Sequence, residues 1–248
     1  MTPPLVVAHR GGSALAPENT LAAFRNAVTL GADAVELDVL VTRDGHLVAH
    51  HDESLQRTAG VPSRVWELDL ADLRGFDAGR WFAAEFAGER IPTLEEVARE
   101  LPSKVRLLAD FKHGEDRFPG LAARVADFAR AFGPERFAAL SIRHEFALAV
   151  AERAPGARAL FTYRAPLATD EELARLRELP PSVGFAASMR ALSAGLLVAA
   201  AAGRRPVYVF TPNSDTELRV ALAVGADGVI TDHPDLALDL RRRLFARG

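Results

Sequence analysis

Three carboxylates and two cations stand at or just beyond the ends of apolar segments of the chain. Glu36 and Asp38 lie two residues apart within one segment, Asp110 ends another, Lys112 follows it at the same spacing, and Arg10 follows a third. Side chains two residues apart on a strand point to the same face. Two like charges about 4 Å apart repel by roughly 4 kcal/mol at an effective dielectric near 20, so Glu36 and Asp38 should enclose something positive.

The charges of this set predict what it would bind. Glu36, Asp38 and Asp110 contribute three negative charges, and a divalent cation together with Arg10 and Lys112 would leave one positive charge. That remainder matches a single phosphodiester anion, whereas the set without a metal would repel it. All the ligand atoms are hard oxygens, so the predicted ion is Mg²⁺ or Ca²⁺. The competing interpretation of Glu36 and Asp38 is an ion-pair layer with arginines inside the fold.

Two histidines could act at the same predicted site, one as general base and the other as general acid. His9 closes the first apolar run, and His51 follows a predicted hairpin that turns near Asp44-Gly45. Two histidines beside a metal suit the cleavage of a phosphate ester. His50 alternates with His51, so the two cannot both face the site. A lone histidine is more often structural, and this interpretation is kept for His46, His50, His113, His144 and His233.

The elements that must position these groups follow from the hydrophobic pattern. Eight short apolar runs rich in β-branched residues alternate with longer amphipathic segments, which is typical of parallel βα units. The runs span residues 5–8, 34–39, 105–110, 138–141, 157–161, 183–186, 207–210 and 228–231. Helical spacing is clear at 21–30, 121–132 and 217–224. The pattern predicts a closed (β/α)8 barrel of the TIM type, with catalytic groups at the carboxyl ends of its strands.

The stretch between the second and third predicted strands is too long for one helix. Thr93 follows a proline and precedes two glutamates, which predicts that a helix starts there. We interpret 53–92 as an insertion in a single barrel domain spanning 1–248, because about 40 residues cannot easily carry an independent core. Trp66, Trp81 and Phe86 are expected to form the insertion's own small core, with a wall of a binding site as the alternative.

Composition excludes several classes of function. The 30 basic and 33 acidic residues are not gathered into long runs, so we expect neither nucleic-acid binding nor attraction to an anionic bilayer. The absence of cysteine excludes disulfides, thiolate nucleophiles and Cys-ligated metals. The longest apolar stretch, 194–202, is far shorter than the roughly 20 residues of a membrane span. We expect a soluble, cytoplasmic protein without stable membrane insertion; the pattern leaves the oligomeric state open.

An ordered set of short motifs, spread along essentially the whole chain, resembles the glycerophosphodiester phosphodiesterase family. The motifs are His9-Arg10-Gly11, Pro17-Glu18-Asn19-Thr20-Leu21, Gly31-Ala32-Asp33 with Glu36 and Asp38-Val39, Thr42 with Asp44-Gly45, His51-Asp52 with Leu55 and Arg57-Thr58, Ile91-Pro92-Thr93-Leu94-Glu95-Glu96, Asp110-Phe111-Lys112, Gly225-Ala226-Asp227-Gly228, and Thr231-Asp232 with Pro234.

The resemblance implies a metal-dependent barrel hydrolase that cuts glycerophosphodiesters to sn-glycerol 3-phosphate and an alcohol. It makes His9 and His51 the acid/base pair. It implies that Glu36 and Asp38 bind the metal, with Asp110 as the third carboxylate ligand. It also implies that Arg10 and Lys112 contact the phosphate of the substrate.

The chain departs from the family's pattern at two places. The family usually has glutamate where Asp110 stands. Near the seventh strand many members show Trp-Thr-Val-Asn, whereas this chain has Phe210-Thr211-Pro212-Asn213, which would reshape one wall of the barrel mouth.

Some matched residues also have structural interpretations. Asn19 or Thr20 would cap a helix, while Glu18 could instead hydrogen-bond Arg10 or the metal shell. Asp232 and the histidine after it are expected to cap the last helix. The functional alternatives are a lysophospholipase D, which would need an apolar groove beside the site, and a barrel that binds phosphodiesters without turnover.

Overall fold

A closed barrel of eight parallel strands forms the centre of the molecule. The computed structural model describes residues 3–167 and 169–245. The strands are β1 (Leu5–Ala8), β2 (Ala34–Val41), β3 (Leu47–Ala49), β4 (Arg106–Phe111), β5 (Phe137–Ser141), β6 (Arg158–Tyr163), β7 (Val183–Ser188), β8 (Val207–Phe210) and β9 (Gly228–Thr231). β1 pairs with both β2 and β9, which closes the sheet, and only β3 runs antiparallel among these strands. The predicted (β/α)8 barrel is confirmed.

Helices connect successive barrel strands and cover the outside of the sheet. They are α1 (Leu21–Leu30), α2 (Gln56–Ala59), α3 (Leu70–Leu73), α4 (Leu94–Glu100), α5 (Leu121–Phe132), α6 (His144–Arg153), α7 (Asp170–Glu178), α8 (Ala194–Ala202), α9 (Asp215–Ala223) and α10 (Pro234–Phe245). The predicted helix start at Thr93 is confirmed, and Thr93 and Glu96 form a reciprocal capping box there. Thr20, rather than Asn19, caps α1 by accepting a hydrogen bond from the Ala23 N–H. Within the described residues, no helix is both long and apolar enough to cross a membrane.

The two faces of β2 show how the barrel sorts its side chains. All eight residues of β2 are buried. Val35, Leu37 and Val39 belong to the large core between the sheet and the helices. Ala34 instead belongs to the core inside the barrel, which also holds Val7, Leu108, Ala138, Leu140, Leu160, Ala186, Tyr208 and Ile230. Glu36 has the same parity as Ala34, so it points inward, above this apolar floor.

The segment between β3 and α4 forms a small core together with residues of β2 and β3. The buried side chains of this core are aliphatic: Leu40 from β2, Val48 from β3, and Leu55, Val65, Leu73, Ala78 and Ile91 from the segment. The expectation that Trp66, Trp81 and Phe86 form this core is wrong. Trp81 is 40% exposed, and Trp66 packs edge-on against His113 with the Arg117 guanidinium 3.8 Å above its ring.

Candidate active site

The carboxyl ends of the barrel strands surround a cavity of about 370 Å³. It is lined by His9, Arg10, Glu36, Asp38, His51, Asp110, Lys112, Leu140, Thr162, Arg164, Ser188, Arg190, Phe210, Thr211 and Ile230. All seven site residues predicted from the sequence are in this set. Phe210, one of the two residues at which the chain departs from the family near the seventh strand, is part of the wall, and so is Thr211, which matches the family.

Glu36, Asp38 and Asp110 form a compact carboxylate cluster. One oxygen from each lies within 4.8 Å of the others, and Asp38 and Asp110 are direct register partners of β2 and β4. Burial, reinforced by the charge of Asp38, raises the pKa of Glu36 to about 7. Burial also opposes ionisation of Asp38, but the neighbouring Lys112 and Arg10 outweigh it and hold the pKa of Asp38 below its usual range. The cluster therefore contains Asp38, which ionises easily because two cations adjoin it, and Glu36, whose ionisation is opposed mainly by burial.

The nearby cations come from the strand ends rather than from a layer of arginines inside the barrel. The Lys112 Nζ lies 2.7 Å from Asp38 Oδ1 and 2.5 Å from Asp110 Oδ2. The Arg10 Nε lies 3.1 Å from Asp38 Oδ2, and the Arg10 backbone N–H donates to Glu36 Oε2 at 3.1 Å. These contacts hold both cations beside the carboxylates, where an anion entering the cavity would meet them.

A tight turn after β1 delivers Arg10 to this position. Arg10 adopts a φ of 52°, in the left-handed region, and Gly11 follows with a φ of 86°. A Cβ at Gly11 would lie 2.7 Å from the Ala23 side chain, so only glycine fits against α1 here. Gly11 therefore permits the close approach of this turn to the helix.

Asp232, from the end of β9, positions the His9 ring. Its Oδ1 lies 2.5 Å from His9 Nδ1 and accepts from Ser13 Oγ at 2.6 Å, while its Oδ2 accepts from Asn213 Nδ2 at 2.5 Å. The expectation that the Asp232 side chain caps the last helix is wrong. α10 starts at Pro234, where the His233 carbonyl accepts the first helical hydrogen bond.

The charges around His9 have opposing effects on its proton affinity. Burial lowers the pKa of His9, but Glu36, whose Oε2 is 3.8 Å from His9 Nε2, and the hydrogen-bonded Asp232 outweigh it and raise the pKa above its usual value. Burial tends to raise the pKa of Asp232, but the hydrogen bond to His9 and the donors around it lower that pKa to about 2. Asp232 is thus ionised at neutral pH and fixes Nδ1 of the ring, leaving Nε2 for the cavity.

His51 has the same type of partner. Its Nδ1 lies 2.6 Å from Asp52 Oδ1, and Asp52 Oδ2 accepts from Arg57 Nε at 2.7 Å. Although burial tends to raise the pKa of Asp52, its hydrogen bonds with Arg57 and His51 lower it to about 2. Arg57 also donates two hydrogen bonds of 2.8 Å to Glu18, which accepts a third from Arg10 at 3.1 Å. A continuous network therefore joins Arg10 to His51.

Several residues of the site were not identified from the sequence. Asn19 donates to Asp38 Oδ2 at 3.0 Å and accepts from the Asp38 N–H at 3.2 Å, so a residue considered as a helix cap instead orients a carboxylate. Arg164 and Arg190 line the cavity although no motif marked them. Their positions just after predicted strands were the available signal.

The remaining histidines lie outside the cavity lining. His50 is buried with Nε2 3.4 Å from the Ser54 carbonyl, and His144 stacks on Phe161 at 4.3 Å. His113 packs against Trp66. These contacts agree with structural roles.

Comparison with known proteins places the chain in a family. Residues 9–236 match the model of the glycerophosphoryl diester phosphodiesterase family. The chain belongs to this family. Glycerophosphodiester phosphodiesterases of Caldanaerobacter subterraneus subsp. tengcongensis and Bacillus altitudinis are 33% and 30% identical to it. Each of these alignments covers 96% of this chain and 98% of the relative.

Solved structures of the glycerophosphoryl diester phosphodiesterase family share the barrel. An Oleispira antarctica phosphodiesterase in complex with the product sn-glycerol-3-phosphate is 30% identical, with a TM-score of 0.82 and coverage of 96% of both chains. A glycerophosphodiester phosphodiesterase from Agrobacterium tumefaciens is 26% identical, with a TM-score of 0.76 and coverage of 95% of this chain and 99% of the other. The family is one of hydrolases, and this chain is an enzyme of that class.

Proposed function

We propose that the protein hydrolyses glycerophosphodiesters to sn-glycerol 3-phosphate and an alcohol, with a divalent metal ion and a two-histidine acid/base pair. The proposal rests on the arrangement of the cavity. The three-carboxylate cluster and the two histidines line the same cavity, and the Nδ1 atom of each histidine is within hydrogen-bonding distance of an aspartate. The sn-glycerol-3-phosphate bound to the Oleispira antarctica relative supports the substrate class.

The carboxylate cluster fits a divalent cation by its chemistry. Glu36, Asp38 and Asp110 supply oxygen ligands within 4.8 Å of one another, as Mg²⁺ or Ca²⁺ requires. Burial and the negative charges of Asp38 and Asp110 raise the pKa of Glu36, and a cation bound at the cluster would favour the ionised form of this carboxyl. A bound ion would polarise the phosphoryl oxygens of the substrate and stabilise the negative charge that develops on them.

The side chains of this chain would carry the remaining steps. Arg10 and Lys112 would bind the non-bridging phosphate oxygens and orient the diester. One of His9 and His51 would take the proton from the attacking oxygen, and the other would protonate the alcohol oxygen as its bond to phosphorus breaks. Asp232 and Asp52 would hold the two rings in the tautomer that presents Nε2 to the substrate.

We also propose that residues 1–248 form one domain. The small core of the inserted segment includes Leu40 of β2 and Val48 of β3, so it is continuous with the barrel. Excision of the segment would expose these side chains and is expected to destabilise the barrel.

The decisive experiment is a metal-dependence assay on a panel of glycerophosphodiesters, with detection of released glycerol 3-phosphate. Activity should disappear in excess chelator and return on addition of Mg²⁺, Ca²⁺ or Mn²⁺. Bis(p-nitrophenyl) phosphate, which lacks the glycerol hydroxyls, should be a poor substrate. Full activity in chelator, with no metal found by elemental analysis, would refute the metal site. Binding of the diesters without formation of glycerol 3-phosphate would favour a barrel that binds phosphodiesters but does not hydrolyse them.

A further inference from the structure

Two arginines line the side of the cavity that lies across the barrel from His9, Glu36 and Asp38. Arg164 follows β6 and Arg190 follows β7. In the closed order β1, β2, β4, β5, β6, β7, β8, β9, strand β6 is four places from β1, and β7 is four places from β2. The two guanidinium groups therefore face the half of the site that carries His9, Glu36 and Asp38.

The backbone that carries these arginines is held in place. Ser188 Oγ at the end of β7 donates to the Arg164 carbonyl at 3.1 Å, and the Met189 N–H donates to the Phe210 carbonyl of β8 at 2.8 Å. The loops after β6 and β7 are thereby tied to each other and to the next strand. The backbone from which the two arginine side chains extend is therefore fixed at the opening of the cavity.

The charges of Arg164 and Arg190 are not neutralised by the protein. Both residues are exposed, and no carboxylate of the described residues lies within 4 Å of either guanidinium. Arg10 and Lys112, in contrast, already form ion pairs with Asp38 and its neighbours. The far wall thus offers two positive charges that the carboxylate cluster does not use.

The positive charges of Arg164 and Arg190 are more than a substrate with a single phosphodiester group would balance. With a divalent ion, the carboxylate cluster, Arg10 and Lys112 together leave one positive charge, which a single phosphodiester balances. Arg164 and Arg190 add two more. A cationic alcohol such as choline would be repelled by this wall, and a neutral alcohol would gain nothing from it. A planar guanidinium pair suits a phosphate group, which each fork can bind through two parallel hydrogen bonds.

We propose that Arg164 and Arg190 select glycerophosphodiesters whose alcohol carries a second phosphate group. This inference rests on the proposed function and specifies its substrate class. The arginines act on binding and not on the chemical step, so their effect lies in KM and weakens as salt screens the charges.

The test compares bis(glycerophospho)glycerol with glycerophosphoglycerol, because the alcohol of the first is a glycerol that carries a further glycerophosphate, whereas the alcohol of the second is glycerol alone. At low salt we expect kcat/KM for the doubly charged substrate to be about 10-fold higher or more, beyond a statistical factor of about two for its two cleavable bonds. The preference should arise from KM and shrink when NaCl is raised. Glycerophosphocholine should be the poorest of the three.

Matched variants separate the two arginines from general charge effects. Arg164→Gln and Arg190→Gln should each reduce the preference several-fold, and the double variant should abolish it. Arg99→Gln removes an equal charge from an exposed position on α4 outside the cavity and should leave the preference unchanged. Thermal unfolding of each variant checks that the fold is retained.

The outcomes distinguish this inference from the proposed function. Hydrolysis of both substrates with a preference no greater than the statistical factor, unchanged in the double variant, would overturn the inference and leave the proposed function standing. Failure of the metal-loaded enzyme to hydrolyse either substrate would overturn both.

Discussion

Replacing Asp232 with asparagine removes the negative charge beside His9 and nearly preserves the shape of the side chain at position 232. Asp232 Oδ1 lies 2.5 Å from His9 Nδ1, and Oδ2 accepts from the Asn213 side-chain amide. An asparagine at this position has one acceptor and one donor end. If its oxygen faces His9, its NH₂ group meets the NH₂ group of Asn213; if it flips, its NH₂ group faces His9 Nδ1 and forces the proton onto Nε2. Neither orientation preserves the native hydrogen bonds.

The magnitude follows from the lost charge. A carboxylate and an imidazolium with centres about 4 Å apart attract each other by about 4 kcal/mol at an effective dielectric of 20. The side chains of His9 and Asp232 are 18% and 24% exposed, so solvent screening reduces the interaction but does not remove it. A loss of about 2 to 4 kcal/mol of transition-state stabilisation lowers kcat about 30- to 1,000-fold. The wrong tautomer adds to this effect if His9 must accept a proton at Nε2.

The assay is the pH profile of kcat and kcat/KM for glycerophosphoglycerol with saturating metal. Because Asp232 helps to raise the pKa of His9, the limb of the profile that reports His9 should move to lower pH in Asp232→Asn. Ser13→Ala is the matched control, since it removes a neutral donor to the same carboxylate oxygen and keeps the charge; its kcat should fall by less than about 10-fold. An Asp232→Asn enzyme within about threefold of the parent, with an unshifted profile, would refute the orienting role.

Three further predictions concern the same cavity. His9→Ala and His51→Ala should each lower kcat about 100-fold or more without loss of fold, whereas His46→Ala, outside the cavity, should retain activity; near-native turnover of either site variant would show the pair to be misassigned. Asp110→Asn should weaken metal affinity at least about 10-fold in a calorimetric titration, and binding as tight as that of the parent would exclude Asp110 as a ligand. Arg57→Gln, which breaks the ion pairs that join the two halves of the hydrogen-bond network, should lower kcat about 10-fold with metal affinity unchanged; an equal loss of metal affinity would indicate general disruption of the site.

Local chemistry in the sequence was enough to predict much of the scaffold. Alternating apolar runs and amphipathic segments specify strands and helices because each must bury one face or stripe, and eight such units close into a barrel. The two-residue spacing of Glu36 and Asp38 places them on one face of β2 whatever the rest of the chain does. Thr93 starts α4 because its side chain satisfies a free backbone N–H of the first turn.

Contacts between distant segments had to come from the tertiary structure. Asp38 faces Asp110 because β2 and β4 pair in one particular register, which a hydrophobic pattern does not specify. The aliphatic core of the inserted segment likewise depends on which residues the turns bring together, and the tryptophans were left outside it.

The clearest case is the partner of His9. Asp232 lies 223 residues away in the chain and two residues before the proline that starts a helix, so its local sequence indicates a cap. Closure of the barrel pairs β9 with β1 and brings the carboxylate to the imidazole. Residue types and short spacings thus determined which groups could do chemistry, while the closed sheet decided which of them meet, because only closure brings strand ends from opposite ends of the chain within hydrogen-bonding distance.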